Sequence, residues 1–328
     1  MTHKISKKAG DQSSVVIDIG ATNIRFARLT ERGNPGPVVK FATAKFSDFA
    51  TALEHFLEIE GGPGPTRIAL AAAGPVHGDI VKLTNLEWKF SIRQLKKDLD
   101  LKQLTVVNDL EALAMLLPHL TAGEMVPIGG QSGRQPSNAP MAVLCPGTGM
   151  GIAALISAGQ GWRPIATEGG HIGLVPLTDR ETAAWEVLRQ RYGRVSVERV
   201  LSGPGLVELF NALASLDGRN VGGVRPEDIV NMALGGQNSP AVETVEMFCA
   251  LLGDVAGDLA LLYLARGGVY LAGDILCSIL DILKHSQFRA RFDNKGRGSG
   301  VVASVPTFLI TAEYPVLRGC ACLLADDR

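Results

Sequence analysis

The sequence predicts a mixed α/β protein of two domains, and three observations carry that prediction. An apolar strand, SSVVIDIG, passes through a short ATN turn into a second strand, IRFARL, from residue 14 onward. The pattern returns over 141–157 as MAVLC, the glycine turn PGTGMG and IAALI. Helical spacing then dominates 179–265, and a chain of 328 residues is long for one hydrophobic core.

Each element has a local reason. Val15, Val16, Ile17 and Ile19 are β-branched in a largely apolar run, as in a strand covered on both faces. A strand is expected at 37–43. An amphipathic helix follows, with Ser47 as N-cap and Phe49, Ala52, Leu53, Phe56 and Leu57 at helical spacing. RIALAAAGP (67–75) and LTVVND (104–109) read as buried strands, the second running directly into the helix LEALAMLL (110–117). Thr178-Asp179, Ser202-Gly203-Pro204 and Arg225-Pro226 mark helix starts. VYLAGDI (269–275) is a strand ending at a glycine, PTFLI (306–310) is a late strand, and a short helix follows Pro315. Mixed strands and helices without a long linker fit α/β architecture, although composition marks no domain boundary.

Composition narrows the function classes. The chain has 32 Lys+Arg against 33 Asp+Glu, so charge gives no reason to expect nucleic acid as a partner. Its 46% hydrophobic content supplies two cores. The N-terminal MTHKISKKAGDQSS lacks the apolar middle of a signal peptide. The long apolar stretch at 247–265 is interrupted by Asp254 and Asp258 on one helical face, which fits a buried helix and not a membrane span. Five cysteines, Cys145, Cys249, Cys277, Cys320 and Cys322, form no CxxC pair, which points to a reduced, cytoplasmic protein without a disulfide framework or zinc cluster. The basic residues Arg289, Arg291, Lys295 and Arg297 read as a solvated surface loop.

The two glycine turns carry the chemistry. In DIGATN, Gly20 permits a tight turn, Thr22 and Asn23 offer hydroxyl and amide donors, and Asp18 stands beside them. In GTGMG, Gly147, Gly149 and Gly151 let backbone approach a ligand, and Thr148 adds a hydroxyl. Bare N–H groups in such turns form anion nests, although each turn alone is equally an ordinary hairpin. GTGMG is not GxGxxG, and the strand-like IAALI after it disfavours a dinucleotide site; no GxxxxGK[ST] occurs. Asp109 sits at a strand-to-helix junction, where it serves either as an N-cap or as a carboxylate at the ligand edge of the sheet. Glu168 and His171 in EGGHIG, Glu198 before SGPG, and Asn108 complete a polar set suited to a polyhydroxylated ligand.

DIGATN, TNLEW, VVND, PGTGMG, EGGHIG, VERVLSGPGLV and FRARFDNKGR occur in an order and spacing that resembles the bacterial glucokinase family, over nearly the whole chain from about residue 14. That family belongs to the actin-like (ribonuclease H-like) superfamily of sugar kinases. The resemblance implies a two-domain fold with a cleft between domains: a small α/β domain at 1–117 plus 307–328, and a large one at 118–306. It implies transfer of phosphate from ATP, with Mg²⁺, to the 6-hydroxyl of glucose. Asp18, Gly20, Ala21, Thr22 and Asn23 match the first phosphate loop, and Gly147, Thr148, Gly149 and Gly151 the second. Asn108, Asp109, Glu168, His171 and Glu198 match the sugar site, with Asp109 as base. Asp18 matches a metal-side carboxylate, and Gly273 the adenosine side. Three positions depart from the pattern: Ala21 and Asp274 replace common glycines, and Gly173 replaces a common Asp. Asp274 reads locally either as a cap for a helix from Ile275 or as negative charge near the nucleotide.

The implied mechanism has the sugar hydroxyl attack the γ-phosphorus in line, with Asp109 orienting it and taking the proton late. Closure of the domains on sugar would exclude water. A sugar-sensing regulator on the same fold would need a DNA-binding extension, for which the N-terminal tail leaves no room. A zinc-bearing sugar kinase would need cysteines near His171. An actin-like structural ATPase would have no use for the polar set. ADP or polyphosphate as donor, a different hexose, and assembly as a homodimer stay open.

Overall fold

The computed structural model describes residues 14–74, 76, 78–83, 87–129, 138–159, 161–219, 221–236 and 240–326. The first three residues of TNLEW, Thr84, Asn85 and Leu86, lie outside them. The chain divides into two compact units: one runs to His119 and resumes at Glu313, and the other spans Leu120–Ala312.

In the first unit the opening hairpin forms as expected, with β1 (Ser14–Ile19) antiparallel to β2 (Asn23–Arg28). β3 (Val39–Ala42) extends it. α1 (Phe49–Glu60) is capped by Asp48, whose Oδ1 accepts the Thr51 N–H at 2.9 Å. The cap therefore stands one residue after the expected Ser47; both side chains can accept, and Ser47 donates its hydroxyl to Asp48 instead. β4 (Arg67–Ala72) is followed by the small hairpin of β5 (Ile80–Lys82) and β6 (Lys89–Ser91) and by α2 (Ile92–Asp98), none of which the sequence had suggested. β7 (Gln103–Asn108) leads into α3 (Asp109–Leu116).

The sheet order is β3-β2-β1-β4-β7, with β1, β4 and β7 parallel. β7 was expected to be buried; it is the edge strand and half-buried along its length. Val15, Ile17 and Ile19 pack on one face against Phe49, Leu53 and Phe56 of α1. Val16, Ala69 and Ala71 pack on the other against Leu317, Cys320 and Leu324 of a C-terminal helix, Pro315–Asp326. That helix is three turns long, not short, and crosses α3 so closely that a Cβ on Gly319 would stand 1.7 Å from the Ala112 carbonyl oxygen.

The second unit repeats the plan. β8 (Met125–Gly129) precedes the hairpin of β9 (Met141–Pro146) and β10 (Met150–Ala158), extended by β11 (Gly161–Ala166). The helices α4 (Asp179–Tyr192), α5 (Gly203–Leu216) and α6 (Pro226–Gly235) start where their caps predicted, and α7 (Pro240–Leu262) follows. After β12 (Val269–Leu271) come α8 (Asp274–Ser278), α9 (Leu280–His285), α10 (Phe288–Asp293), α11 (Ser299–Val302) and β13 (Thr307–Ile310).

The sheet order is β11-β10-β9-β12-β13-β8, with β9, β12 and β13 parallel. Apart from β8, this is the strand plan of the first sheet, so the echo read from the hairpins extends to the sheets. The expected boundary at 307 put β13 with the first unit, but β13 pairs with β12 and β8 and belongs to the second.

Of the two expectations about charge, the buried helix stands and the solvated loop does not. Asp254 of α7 is buried at 7% exposure, and α7 is not a membrane span; among the described residues no helix is long and apolar enough to cross a membrane. The basic residues at 289–295 are no solvated loop. Arg291 donates to Glu181 Oε1 at 2.7 Å and also pairs with Asp254, while Lys295 reaches Asp258 at 2.8 Å. Arg289 pairs with Asp293 at 2.6 Å and donates to the Val305 carbonyl at 2.8 Å. The pairs of Arg291 and Lys295 fasten α10 and the turn after it to α7 and α4. Glycines let them approach, since a Cβ on Gly253 or Gly257 would meet the Phe288 or Phe292 carbonyl oxygen at 2.1 or 2.5 Å.

Candidate active site

In the first unit, the sequence-predicted residues gather at the carboxyl ends of the parallel strands, the usual ligand edge of such a sheet. Asp18 lies near the end of β1, and Arg25 stands directly opposite on β2. Arg25 donates to Asp18 Oδ2 at 2.8 Å. The Gly20 N–H closes the turn on the Asn23 carbonyl at 2.9 Å. Thr43 draws the turn's carbonyls backward, donating its N–H to Thr22 O at 3.0 Å and its hydroxyl to Ala21 O at 2.9 Å. Thr22 itself is exposed, and Asn23 begins β2.

Asn108, and not Asp109, is the N-cap of α3. Its Oδ1 accepts the Leu110 N–H at 2.8 Å, and Glu111 accepts the Asn108 N–H at 3.0 Å. Its amide nitrogen donates to the Gly74 carbonyl at 3.1 Å, leaving one amide hydrogen for a ligand. Asp109 is the first helical residue, with Oδ1 near the Leu110 N–H at 3.0 Å. The capping role that competed for Asp109 thus belongs to its neighbour.

Register sets Asp18 level with Ala71 and Ala71 level with Val107, so the strands leading to the two carboxylates lie two strand spacings apart, roughly 10 Å, with Asp109 two residues beyond that level. Burial pushes Asp109 up to about 6, and the charge of Asp18 adds to the rise. Burial also raises Asp18, against the opposing pull of Arg25.

In the second unit, three sequence motifs meet around the β9–β10 turn. Gly147 closes the turn by donating to Gly149 O at 2.8 Å, and its carbonyl accepts the Gly203 N–H at 2.8 Å. Thr148 is exposed at the tip, whereas Gly151 lies within β10 opposite Cys145. Among the described residues, a Cβ at Gly147 would meet nothing within 4 Å. One at Gly149 would stand 2.6 Å from Glu198 Oε2, which accepts the Met150 N–H at 2.9 Å.

EGGH packs on the start of β10, where a Cβ on Gly170 would come within 2.2 Å of the Met150 carbonyl oxygen. His171 and Glu168 are both well exposed, with Nε2 and Oε2 3.8 Å apart. Near Gly173, which replaces the Asp common in the resembled pattern, Arg194 supports the segment by donating to the His171 carbonyl at 3.2 Å. In SGPG, Ser202 caps α5 by accepting the Gly205 N–H at 3.0 Å. Gly273 has φ 113°, which only glycine adopts freely, and lies against the Pro146 carbonyl oxygen. Asp274 is not the cap, since Gly273 stands at that position; it is the exposed first residue of α8.

Sequence reading missed several supporting groups. Arg25 was legible in principle, since a hairpin that pairs Ile19 with Ile24 also pairs Asp18 with Arg25. Gly74 was legible by repeat: like Gly273 it follows the fourth strand of its sheet with positive φ, here 125°. Thr167, whose hydroxyl donates to the Ile152 carbonyl at 2.7 Å and accepts the Gly169 N–H at 3.2 Å, carried no local signal.

Comparison with known proteins places the chain in a family. The glucokinase family model matches residues 15–327. The chain is 43% identical to a glucokinase of Nitrobacter hamburgensis, with 94% of this chain and 95% of that one covered. It is 40% identical to a glucokinase of Chromobacterium violaceum, covering 94% and 88%. Among solved structures it is similar to a glucokinase from an Antarctic psychrotroph, with TM-score 0.86, 36% identity and 95% and 98% coverage. The actin-like sugar-kinase fold expected from the sequence is thereby borne out.

Proposed function

The chain belongs to the glucokinase family, and on that premise we propose that it transfers the γ-phosphoryl group of ATP to the 6-hydroxyl of glucose in the cytoplasm. The observation that carries the reading is Asp109. It is a carboxylate at the ligand edge of the first sheet, held by a helix start that Asn108 caps, with its pKa lifted to about 6. An ordinary aspartate near 3.9 is a poor match for an alcohol proton. A carboxylate near 6 is still ionised at neutral pH and is a better acceptor for a proton released late in a loose transition state.

Each unit supplies its own part. In the first, Asp109 orients the attacking hydroxyl and takes its proton. Asn108 offers its remaining amide hydrogen to the sugar. The Gly20 N–H is already engaged, so the amides of Ala21 and Thr22 and the Thr22 hydroxyl are the groups left to face phosphate. In the second, the amides of Thr148 and Gly149 and the Thr148 hydroxyl stabilise the transferring group. Glu168, His171 and Glu198 accept and donate to ring hydroxyls. Gly273, whose lack of a side chain leaves room for the Pro146 carbonyl, lines the adenosine side. Asp18 fits a Mg²⁺ partner: Arg25 occupies one carboxylate oxygen, and a hard cation that keeps most of its waters asks for one or two carboxylates beside the phosphates. Bound there, Mg²⁺ would neutralise charge on the phosphate oxygens.

The test is a coupled assay across hexoses and donors. A site that hydrogen-bonds hydroxyls strands its own polar groups when one is missing or misdirected, at roughly 1–3 kcal/mol each. Glucose should exceed galactose and fructose by at least about 10-fold in kcat/KM, taking 1.4 kcal/mol as the working minimum. ATP should act only with Mg²⁺. Equal use of fructose or galactose, or a preference for ADP or polyphosphate, would overturn the assignment.

A further inference from the structure

The carboxylate of Glu198 is engaged before any sugar arrives. Its Oε2 accepts the Met150 N–H at 2.9 Å and fills the space where a side chain on Gly149 would begin. Its main chain is fixed on both sides: the N–H donates to Gly170 O at 2.8 Å, and the carbonyl accepts the Ser202 hydroxyl at 2.8 Å. Glu198 therefore ties EGGH and the capped start of α5 to the β9–β10 turn.

The two shoulders of that turn are held differently. The Pro146–Gly147 shoulder is braced by backbone, through the Gly203 N–H on Gly147 O and the close contact of Gly273 with Pro146 O. The Met150 shoulder is braced by the Glu198 side chain. We propose that Glu198 is a positioning residue for the phosphate turn: through the Met150 N–H it fixes the Thr148 and Gly149 amides, independently of its contact with sugar. This rests on reading the turn as the phosphate site. One of its carboxylate oxygens remains for a sugar hydroxyl, so the same group feels both substrates. By reciprocity, whatever sugar does to nucleotide affinity through Glu198, nucleotide does to sugar affinity.

Two substitutions separate reach from charge. Glu198→Gln keeps a carbonyl acceptor at the same distance and loses the charge. Glu198→Asp keeps the charge and, one methylene shorter, loses the reach. MgADP affinity is measured by calorimetry on sugar-free protein whose melting confirms folding, beside Glu168→Gln, which alters the sugar set without touching the turn. The expected result is MgADP affinity within about 2-fold of wild type for Glu198→Gln and Glu168→Gln, and about 10-fold weaker for Glu198→Asp, the size of one lost hydrogen bond to a buried amide. Both Glu198 variants should raise the KM for glucose. Wild-type MgADP affinity in Glu198→Asp, or equal loss in Glu198→Asp and Glu198→Gln, overturns the proposal. A wild-type chain that binds MgADP but does not phosphorylate glucose would sink the sugar assignment and leave this one standing. Failure of the wild type to bind MgADP would sink the phosphate-turn reading, and this proposal with it.

Discussion

At the scale of single residues, Asp109 shows function and stability in opposition. Its pKa in the folded chain, about 6, lies above the ordinary 3.8. Between those values the folded chain keeps a proton that the unfolded chain has lost, so stability falls as pH rises through the window and the charge destabilises the fold above it. Asp109→Asn should therefore melt higher at pH 7.5 by the equivalent of about 1–2 kcal/mol, a figure discounted from about 1.4 kcal/mol per unit because the group is partly exposed. The same variant should lose on the order of 10²-fold in kcat. In the wild type, kcat/KM should fall below pH about 6 as the base protonates. An acid limb near 4, or near-normal kcat in Asp109→Asn, would remove Asp109 from the role. Gly147 gives a complementary test. A methyl there meets open space, so Gly147→Ala should fold like wild type yet raise the KM for ATP several-fold, if phosphate approaches that backbone. Unchanged ATP kinetics would mean that the ligand stays away from it. Most of these residues were legible because each sits in a short stretch with its own chemical logic. The Glu198 bond to Met150 was not, because local pattern says nothing about a partner 48 positions away.

At the scale of elements, sequence and structure part where a choice depends on neighbours. Helix starts were readable because a cap acts within four residues: Thr178 and Ser202 each accept the backbone N–H three residues on. The edge position of β7 was not, since an apolar run looks alike with one neighbour or two. Arg291 and Lys295 misled for the same reason, their acidic partners lying on α4 and α7. The α7–α10 contact yields a test in which two effects compete. Alanine is a better helix former than glycine by about 1 kcal/mol, which alone would favour Gly253→Ala. The new methyl, however, would lie 2.1 Å from the Phe288 carbonyl oxygen, a backbone atom that cannot swing aside. Overpacking of that kind costs about 1–3 kcal/mol or more, so Gly253→Ala should lower the denaturation midpoint despite its propensity. A raised midpoint would show that α10 yields easily.

At the scale of the molecule, each sheet is an antiparallel hairpin extended by parallel strands, and each places a glycine turn at one edge of its chemistry. The doubling was visible in the sequence only at the hairpins, where each pair of strands is joined through a glycine-bearing turn. The shared order of the remaining strands is a property of pairing, which no window of sequence contains. The first unit is also discontinuous. Val16, Ala69 and Ala71 are covered by Leu317, Cys320 and Leu324 of the C-terminal helix. A variant ending at residue 312 should expose that face, bind a hydrophobic dye such as ANS and lose catalysis. A dye-silent, compact truncation would show that the helix is dispensable to the sheet.

That discontinuity also sets a schedule for a ribosome. The first sheet is finished when synthesis passes β7, yet the helix that seals one of its faces begins roughly 200 residues later. At about 5–20 residues per second, the nascent sheet waits on the order of 10–40 s with an alanine- and valine-rich surface uncovered. For that interval the chain offers cellular chaperones a binding face that the finished protein does not have.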